Sequence, residues 1–184
     1  LRKVRARSAE EVLGALPGEK FPNQYEGNWQ ILHPERKLVG RAVTAQFRPY
    51  RSDVAGVSET DAKAKGLGRN SNQRVIDMLQ PGDVLVVDLF GKIENGTFVG
   101  DNLATAIHAA TKTGGLVVDG AVRDLEGIFP IEMAAYFRGV HPSAIGNAML
   151  TAGNTPVRIG TTTVQPGTIR FGHGEGPCFL PSAT

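Results

Sequence analysis

VLVVDLFGKIENGTFVGDNLATAIHAATKTGGLVVDGAVRD, residues 84–124, is the most regular stretch of the chain. Residues 84–87 are a continuous apolar run closed by Asp88, which is typical of a strand buried on both faces. Gly100 precedes a helical stripe that consists of Leu103, Ala106, Ile107 and Ala110. A second apolar run at residues 116–118 ends at Asp119 and leads into another short helix. This succession of strand, loop and helix, repeated once, predicts a parallel α/β layer.

The flanking sequence predicts shorter elements. Residues 1–16 have partly helical spacing, residues 17–34 resemble a loop, and residues 38–47 alternate like a half-buried strand. A short helix is predicted at residues 72–79 and a turn at Asn95-Gly96. Four short strands are predicted near the end, at residues 157–159, 161–164, 168–171 and 178–180. We therefore predict an α/β chain of β/β/α type with a mixed sheet, organised as an N-terminal arm over residues 1–34 and one domain over residues 35–184.

Composition excludes several classes of protein. The 184 residues include 23 glycines and 11 prolines, which indicates many turns, and 41% are hydrophobic. No apolar run has the roughly 18 residues of a membrane span, and the first dozen residues lack the apolar stretch of a signal peptide. The single cysteine, Cys178, excludes an internal disulfide framework and is compatible with a cytoplasmic location. A net charge of +2 gives no bulk electrostatic argument for nucleic acid.

Polar residues at the predicted strand ends are the candidates for chemistry. Ligands of α/β layers gather at the carboxyl ends of the strands, where loop amides and helix N-termini converge. Asp88 and Asp119 mark two such ends. The free N–H groups of Gly100, Asp101, Asn102 and Leu103 would form a cradle for a substrate carboxylate. Gly91, Gly100 and Gly120 are expected where a ligand approaches the backbone.

Arg123 and Asp124 follow the second of these strands. Arg123 offers a planar fork for a carboxylate or an enolate oxygen, and Asp124 is a hard oxygen ligand for Mg²⁺ or Mn²⁺. Adjacent residues of this kind are not expected to pair easily, so each would be available to another partner. Together they suggest a metal-assisted site for a keto acid. The structural alternative is that Asp101, Asn102 or Asp124 only caps its helix.

Other chemistries find little support in the sequence. The four histidines, His33, His108, His141 and His173, show no two-His metal spacing, and Cys178 is expected to be buried in a strand. No serine has a G-x-S-x-G context, and the glycine-rich segments match neither a P-loop nor a dinucleotide fingerprint.

Three segments resemble the RraA-like family. They are LQPGDVLVVD at residues 79–88, GDNLATA at residues 100–106 and VVDGAVRD at residues 117–124. Weaker matches extend the resemblance from residues 38–44 to residues 164–167. The family includes class II 4-hydroxy-4-methyl-2-oxoglutarate aldolases, which also decarboxylate oxaloacetate, and regulators of ribonuclease E activity.

The resemblance implies a swivelling β/β/α fold assembled as a homotrimer or homohexamer, with active sites between subunits. In the aldolases a carboxylate precedes the Arg-Asp pair by twenty residues. Asn102 stands at that spacing and Asp101 lies one residue further away, so either the loop carries an extra residue or an amide replaces the acid. Glu175 corresponds to an acidic residue that reaches a neighbouring subunit's site.

By the same resemblance, Asp124 would hold a divalent metal, Mg²⁺ or Mn²⁺, and Arg123 would bind the pyruvyl oxygens. Asp101 or Glu175 would orient the water that shuttles protons. The implied activity is cleavage of a 4-hydroxy-2-oxo acid or oxaloacetate to pyruvate through a metal-stabilised enolate. The alternatives are a non-catalytic regulator that binds a ribonuclease or helicase, and a related lyase that acts on sugar-acid derivatives. No membrane or nucleic-acid partner is expected.

Overall fold

The structure is a computed structural model that describes residues 11, 26–55, 63–64, 71–174 and 176–180; for residues 169–171 and 173 it describes the backbone alone. The strands are β1 (Gln30–Leu32), β2 (Leu38–Pro49), β3 (Asp83–Lys92), β4 (Gly115–Val122), β5 (Ala134–Val140), β6 (Ala148–Gly153), β7 (Val157–Ile159), β8 (Thr162–Val164), β9 (Ile169–His173) and β10 (Gly176–Leu180). The helices are α1 (Ser71–Ile76), α2 (Asp101–Thr111) and α3 (Leu125–Ile128), and a 3₁₀ turn covers Phe129–Ile131.

Four parallel strands form the centre of the main sheet. Its order is β1-β5-β4-β3-β2-β9-β10, and β2 to β5 pair in parallel. Strands β1, β9 and β10 add antiparallel edges. Strand β6 also pairs with β2, beside its second half, whereas β9 pairs with its first half. The sheet is therefore mixed, as the sequence predicts.

The regular block folds as its pattern predicts. Strands β3 and β4 contain the two apolar runs. Of the stripe predicted on α2, Ile107 is fully buried, and Leu103, Ala106 and Ala110 are half-buried against the core. Ala104, which the predicted stripe leaves out, is fully buried as well. The turn at Asn95 is also confirmed, since Asn95 has a φ of 55°. A continuous apolar run thus correctly indicates a central parallel strand.

Three strands are not predicted by the local pattern, and one prediction of burial is wrong. Strand β1 lies within the supposed loop over residues 17–34, and β5 and β6 have no sequence prediction. Strand β2 is buried on both faces rather than half-buried, because it lies inside the sheet between β3 and two antiparallel partners. The predicted helix at residues 1–16 lies, apart from Glu11, outside the described residues. The boundary at residue 34 stays a prediction.

Two apolar clusters cover the two faces of the sheet. On one face, side chains of α1 and α2 pack on inward-facing residues of the parallel strands, among them Val75, Ile107, Leu85, Val87 and Val118. On the other face the β7–β8 hairpin contributes a second cluster, which includes Val157, Ile159, Val164, Val86 and Val117. The layers are hairpin, sheet and helices, which confirms the β/β/α fold class. In the part of the chain that the structure describes, no helix is long and apolar enough to cross a membrane.

A row of buried charges lies on the hairpin face. Asp88 and Asp119 are register partners in β3 and β4, and they are 0% and 5% exposed. Arg48 Nη1 donates to Asp88 at 2.9 Å, and Arg138 Nε donates to Asp119 at 2.8 Å. Each arginine thus compensates one carboxylate, as burial of a charge requires.

Arg138 also links the residues before β1 to the sheet. Its guanidinium carbon lies 3.8 Å from the centroid of the Trp29 ring, and it donates to the Asn28 carbonyl at 3.1 Å. The second oxygen of Asp119 accepts from Gly160 N, in the turn of the hairpin, at 3.2 Å. Asp119 and Arg138 therefore hold together two segments that are far apart in sequence.

We predict that Arg138→Ala lowers the free energy of unfolding by about 3–5 kcal/mol, because it leaves the Asp119 carboxylate buried without its cation. Urea unfolding followed by circular dichroism measures this loss. The matched control is Arg51→Ala, which removes an arginine whose ion pair with Asp53 is exposed and should leave stability unchanged. Equal losses in the two variants would contradict the prediction.

Candidate active site

The candidate site lies where the end of β4 meets the start of α2. Arg123 N donates to the Val99 carbonyl at 3.0 Å, and Phe98 N donates to the Ala121 carbonyl at 2.8 Å. These two hydrogen bonds hold residues 98–100 beside residues 121–123. Consequently the first turn of α2 and the residues that follow β4 adjoin each other at the carboxyl edge of the parallel strands.

Arg123 and Asp124 form an ion pair, so the expectation that they would not pair is wrong. Arg123 Nη1 lies 2.9 Å from Asp124 Oδ2, and the two side chains are 36% and 39% exposed. The cause is the backbone of Asp124, which is left-handed with φ 57° and ψ 46°. This conformation ends the strand-like alternation of side chains, and the carboxylate turns back to the guanidinium. This conformation is energetically unfavourable for residues other than glycine, and residues that adopt it are often found at functional sites.

The ion pair lies on Gly100. A Cβ atom at this position would overlap Asp124 Oδ2 and would lie 3.2 Å from Arg123 Cζ. Only a glycine therefore allows both charged groups to reach the residue that precedes α2. The predicted close approach at Gly100 is explained by neighbouring side chains of the same chain.

The first turn of α2 differs in detail from the predicted cradle. Its N-cap is Gly100, and no side chain caps the helix there. The Asp101 carboxylate accepts the N–H of Asn102 at 2.7 Å, so one amide of the cradle is already engaged. First-turn amides otherwise have no acceptor inside a helix. Asp124 holds the N-cap position of α3, but its side chain makes no capping hydrogen bond.

Asp101 and Asn102 differ in burial. Asp101 is half-buried, whereas Asn102 is exposed. Leu103 is half-buried and packs against the helix-face core. The structure therefore brings Arg123, Asp124, Gly100 and Asp101 together in one region. Glu175, the candidate acid from a neighbouring subunit, lies outside the described residues.

Three other residues at strand ends have structural roles, in buried ion pairs or in packing. Asp88 and Asp119 are buried beneath the hairpin and bound by arginines. Gly120 faces Leu89, because a Cβ at residue 120 would lie 2.7 Å from Leu89 Cδ2. Gly91, in contrast, has no atom of the described residues within 4 Å of where its Cβ would lie.

His141 occupies a place that the sequence did not indicate. It follows β5 as Arg123 follows β4, and its backbone N–H donates to the Val122 carbonyl at 3.1 Å. The ring Nδ1 accepts the Ser143 N–H at 3.2 Å, which fixes the ring at this edge of the sheet. Because β5 was not predicted, the residue at its carboxyl end could not be assigned to the edge.

Comparison with known proteins identifies the family. A family model described as RraA-like, Aldolase/RraA, matches residues 17–176, so the chain belongs to the RraA-like family. Protein DlpA of Legionella pneumophila is 29% identical over 149 residues, which are 79% of this chain and 22% of DlpA. A protein of Halalkalibacterium halodurans, provisionally named 4-hydroxy-4-methyl-2-oxoglutarate aldolase, is 26% identical over 76% of this chain and 66% of its own length. The chain thus spans less than two thirds of these relatives.

Solved structures confirm the fold. RraAS2 of Streptomyces coelicolor, described as an unusual member of the RNase ES inhibitor RraA protein family, aligns with a TM-score of 0.79 and 27% identity. The alignment covers 98% of this chain and 84% of RraAS2. The RNA-processing inhibitor RraA of Thermus thermophilis aligns with a TM-score of 0.67 and 18% identity over 97% of this chain and 95% of that one, which is evidence for the fold alone.

We predict that Gly100→Ala displaces the Arg123–Asp124 pair and lowers the free energy of unfolding by about 1–3 kcal/mol through overpacking. Chemical denaturation gives the loss. Gly27→Ala is the matched control, because a Cβ there meets no atom within 4 Å in the part of the chain that the structure describes. A Gly100→Ala protein as stable as the control would show that the pair is not held against residue 100.

Proposed function

We propose that this chain forms the catalytic domain of a divalent-metal-dependent carbon–carbon lyase, which releases pyruvate from a 4-hydroxy-2-oxo acid or from oxaloacetate. The observation that carries the proposal is the Arg123–Asp124 pair on Gly100, at the start of α2. A cation, a carboxylate and the first-turn amides of a helix adjoin there. The aldolase name of the Halalkalibacterium halodurans relative agrees with it.

The residues present fit a divalent cation that is bound through few protein ligands. Among the described residues, no three His, Cys, Asp or Glu side chains converge on one point. Mg²⁺, however, is commonly bound through one or two carboxylates and keeps several water molecules. Asp124, which is 39% exposed, would hold it. The bound cation would supply a Lewis acid for the oxygens of a 2-oxo acid.

Arg123 would stabilise the charge that develops on the substrate. When the C3–C4 bond of the substrate breaks, its electron pair stays on the pyruvyl fragment and gives an enolate. The other product is CO₂ from oxaloacetate, or an aldehyde or ketone from the aldol substrate, whose 4-hydroxyl proton would pass to the water that Asp101 orients. The guanidinium has five N–H donors, so it can donate to the enolate oxygen as well as to Asp124. Such charge-directed donors commonly supply a large part of catalysis.

The remaining residues of the site would bind the substrate carboxylate and help to protonate the enolate. The amides in the first turn of α2, at Gly100 to Leu103, would bind the substrate carboxylate, except for that of Asn102, which Asp101 engages. Asp101 would orient the water that delivers a proton to the enolate carbon. Glu175 would approach from a second copy of the chain in a homotrimer or homohexamer.

We expect Arg123→Ala and Asp124→Ala to lower pyruvate formation from oxaloacetate by about 10²–10³-fold each, because each removes a group that acts on the developing charge. A coupled lactate dehydrogenase assay with Mg²⁺ or Mn²⁺ measures this rate. The wild-type rate should fall to background in EDTA and recover on addition of metal.

The control is Arg158→Ala, which removes an exposed arginine of β7 and should leave the rate unchanged. A panel of 4-hydroxy-2-oxo acids that includes sugar-acid derivatives identifies the substrate. Undiminished turnover by both site variants, or turnover that is insensitive to EDTA, would refute the proposal.

A regulator of ribonuclease is the second candidate function. The similarity to RraAS2, at 27% identity over nearly the whole chain, favours it. The two functions are separated by testing the wild-type protein for inhibition of a purified RNase E-type ribonuclease and for pyruvate release. The regulator is supported if Arg123→Ala still inhibits the ribonuclease and the wild-type protein has no lyase activity with any divalent metal.

A further inference from the structure

Gly127 of α3 lies directly against Asp101 of α2. A Cβ atom at residue 127 would lie 2.6 Å from Asp101 Cβ and 3.0 Å from Asp101 Oδ2. Contacts between Cβ atoms this short essentially do not occur. Asp101 therefore occupies the space that any other residue at position 127 would fill.

The backbone does not explain why residue 127 is glycine. Gly127 is absent from the positions with positive φ, and it lies inside a helix, where alanine is favoured over glycine. A glycine in this setting lowers helix stability through its backbone entropy. A glycine at this position instead leaves room for the side chain of Asp101.

The contact is one half of a reciprocal arrangement. Asp124 lies on Gly100, the residue before Asp101, and Asp101 lies on Gly127, three residues after Asp124. Gly127 N also donates to the Asp124 carbonyl at 2.9 Å, so residues 124–127 form one turn. Two carboxylates on different elements are thereby held relative to each other by two glycines.

We propose that Gly127 is a positioning residue that sets the Asp101 carboxylate in place relative to Asp124. This inference rests on the proposed function for its catalytic meaning, in which Asp101 orients the water that protonates the enolate. A side chain at residue 127 would push Asp101 away from α3 and misplace that water, since the three atoms nearest to the added Cβ all belong to Asp101.

The steric part is tested by a cycle of four proteins: wild type, Gly127→Ala, Asp101→Gly and the double variant. Asp101→Gly is needed because an alanine would retain the Cβ that collides. With Asp101 present, Gly127→Ala should lower the Tm by about 2–4 °C. In the Asp101→Gly background the same change should raise the Tm, because only the helix preference of alanine remains. If Gly127→Ala alone fails to fold, recovery of folding in the double variant is the expected result.

The functional part uses the same proteins in the pyruvate assay. Gly127→Ala should lower kcat by about tenfold or more, as misplacement of an acting group does, with KM changed less than about twofold because Arg123 and the α2 amides remain. The acid and base limbs of its pH–rate profile should match those of Asp101→Gly. The double variant should have the kcat of Asp101→Gly alone.

Gly146→Ala is the matched control, since a Cβ there would make only ordinary contacts, at 3.6 Å and beyond; its kcat should equal that of wild type. The proposal is overturned if Gly127→Ala shifts the Tm equally in both backgrounds, or if its loss of kcat multiplies with that of Asp101→Gly. A wild-type protein that releases no pyruvate refutes the proposed function and the catalytic meaning of this contact, whereas the Tm cycle still decides whether Gly127 positions Asp101.

Discussion

The burial of the Asp119 carboxylate is the constraint on which the rest of the structure depends. A charge that is 5% exposed must be compensated, and Arg138 of β5 and the Gly160 amide of the hairpin compensate it. Arg138 in turn lies on Trp29 and binds the carbonyls before β1. One carboxylate thus ties an edge strand, a neighbouring strand and the covering hairpin to β4. Because Arg123 is the residue that directly follows β4, these contacts also fix the position of the strand end that carries the candidate site.

The elements that the sequence predicts are those whose signal is local. The run at residues 84–87 and the stripe on α2 are set by the burial of their own side chains, and both folded as predicted. Strands β1, β5 and β6 were missed because their stability comes from partners far along the chain. The same reason hid His141, which is at the sheet edge only because β5 pairs with β4.

The candidate site was predictable in its residue types and not in its contacts. Arg123, Asp124 and Gly100 were named from their positions at strand and helix ends, and the structure brings them together. The ion pair was not foreseen, because it depends on one left-handed residue, Asp124. Nor does a glycine in a sequence show whether it makes room for a ligand or for a neighbour. Gly120 faces Leu89, and Gly127, which carried no signal, faces Asp101.

Strand β1 has a further consequence for how the chain can be divided. It has three residues and pairs with residues 135–137 of β5, at one end of the sheet order. Such a short edge strand blocks the backbone groups of a longer, apolar neighbour from pairing with another molecule. A fragment that begins at residue 35 would leave that edge of β5 open, and self-association through it would be the expected behaviour. Strand β1 therefore shields this edge of the sheet from pairing with another molecule as well as extending the sheet.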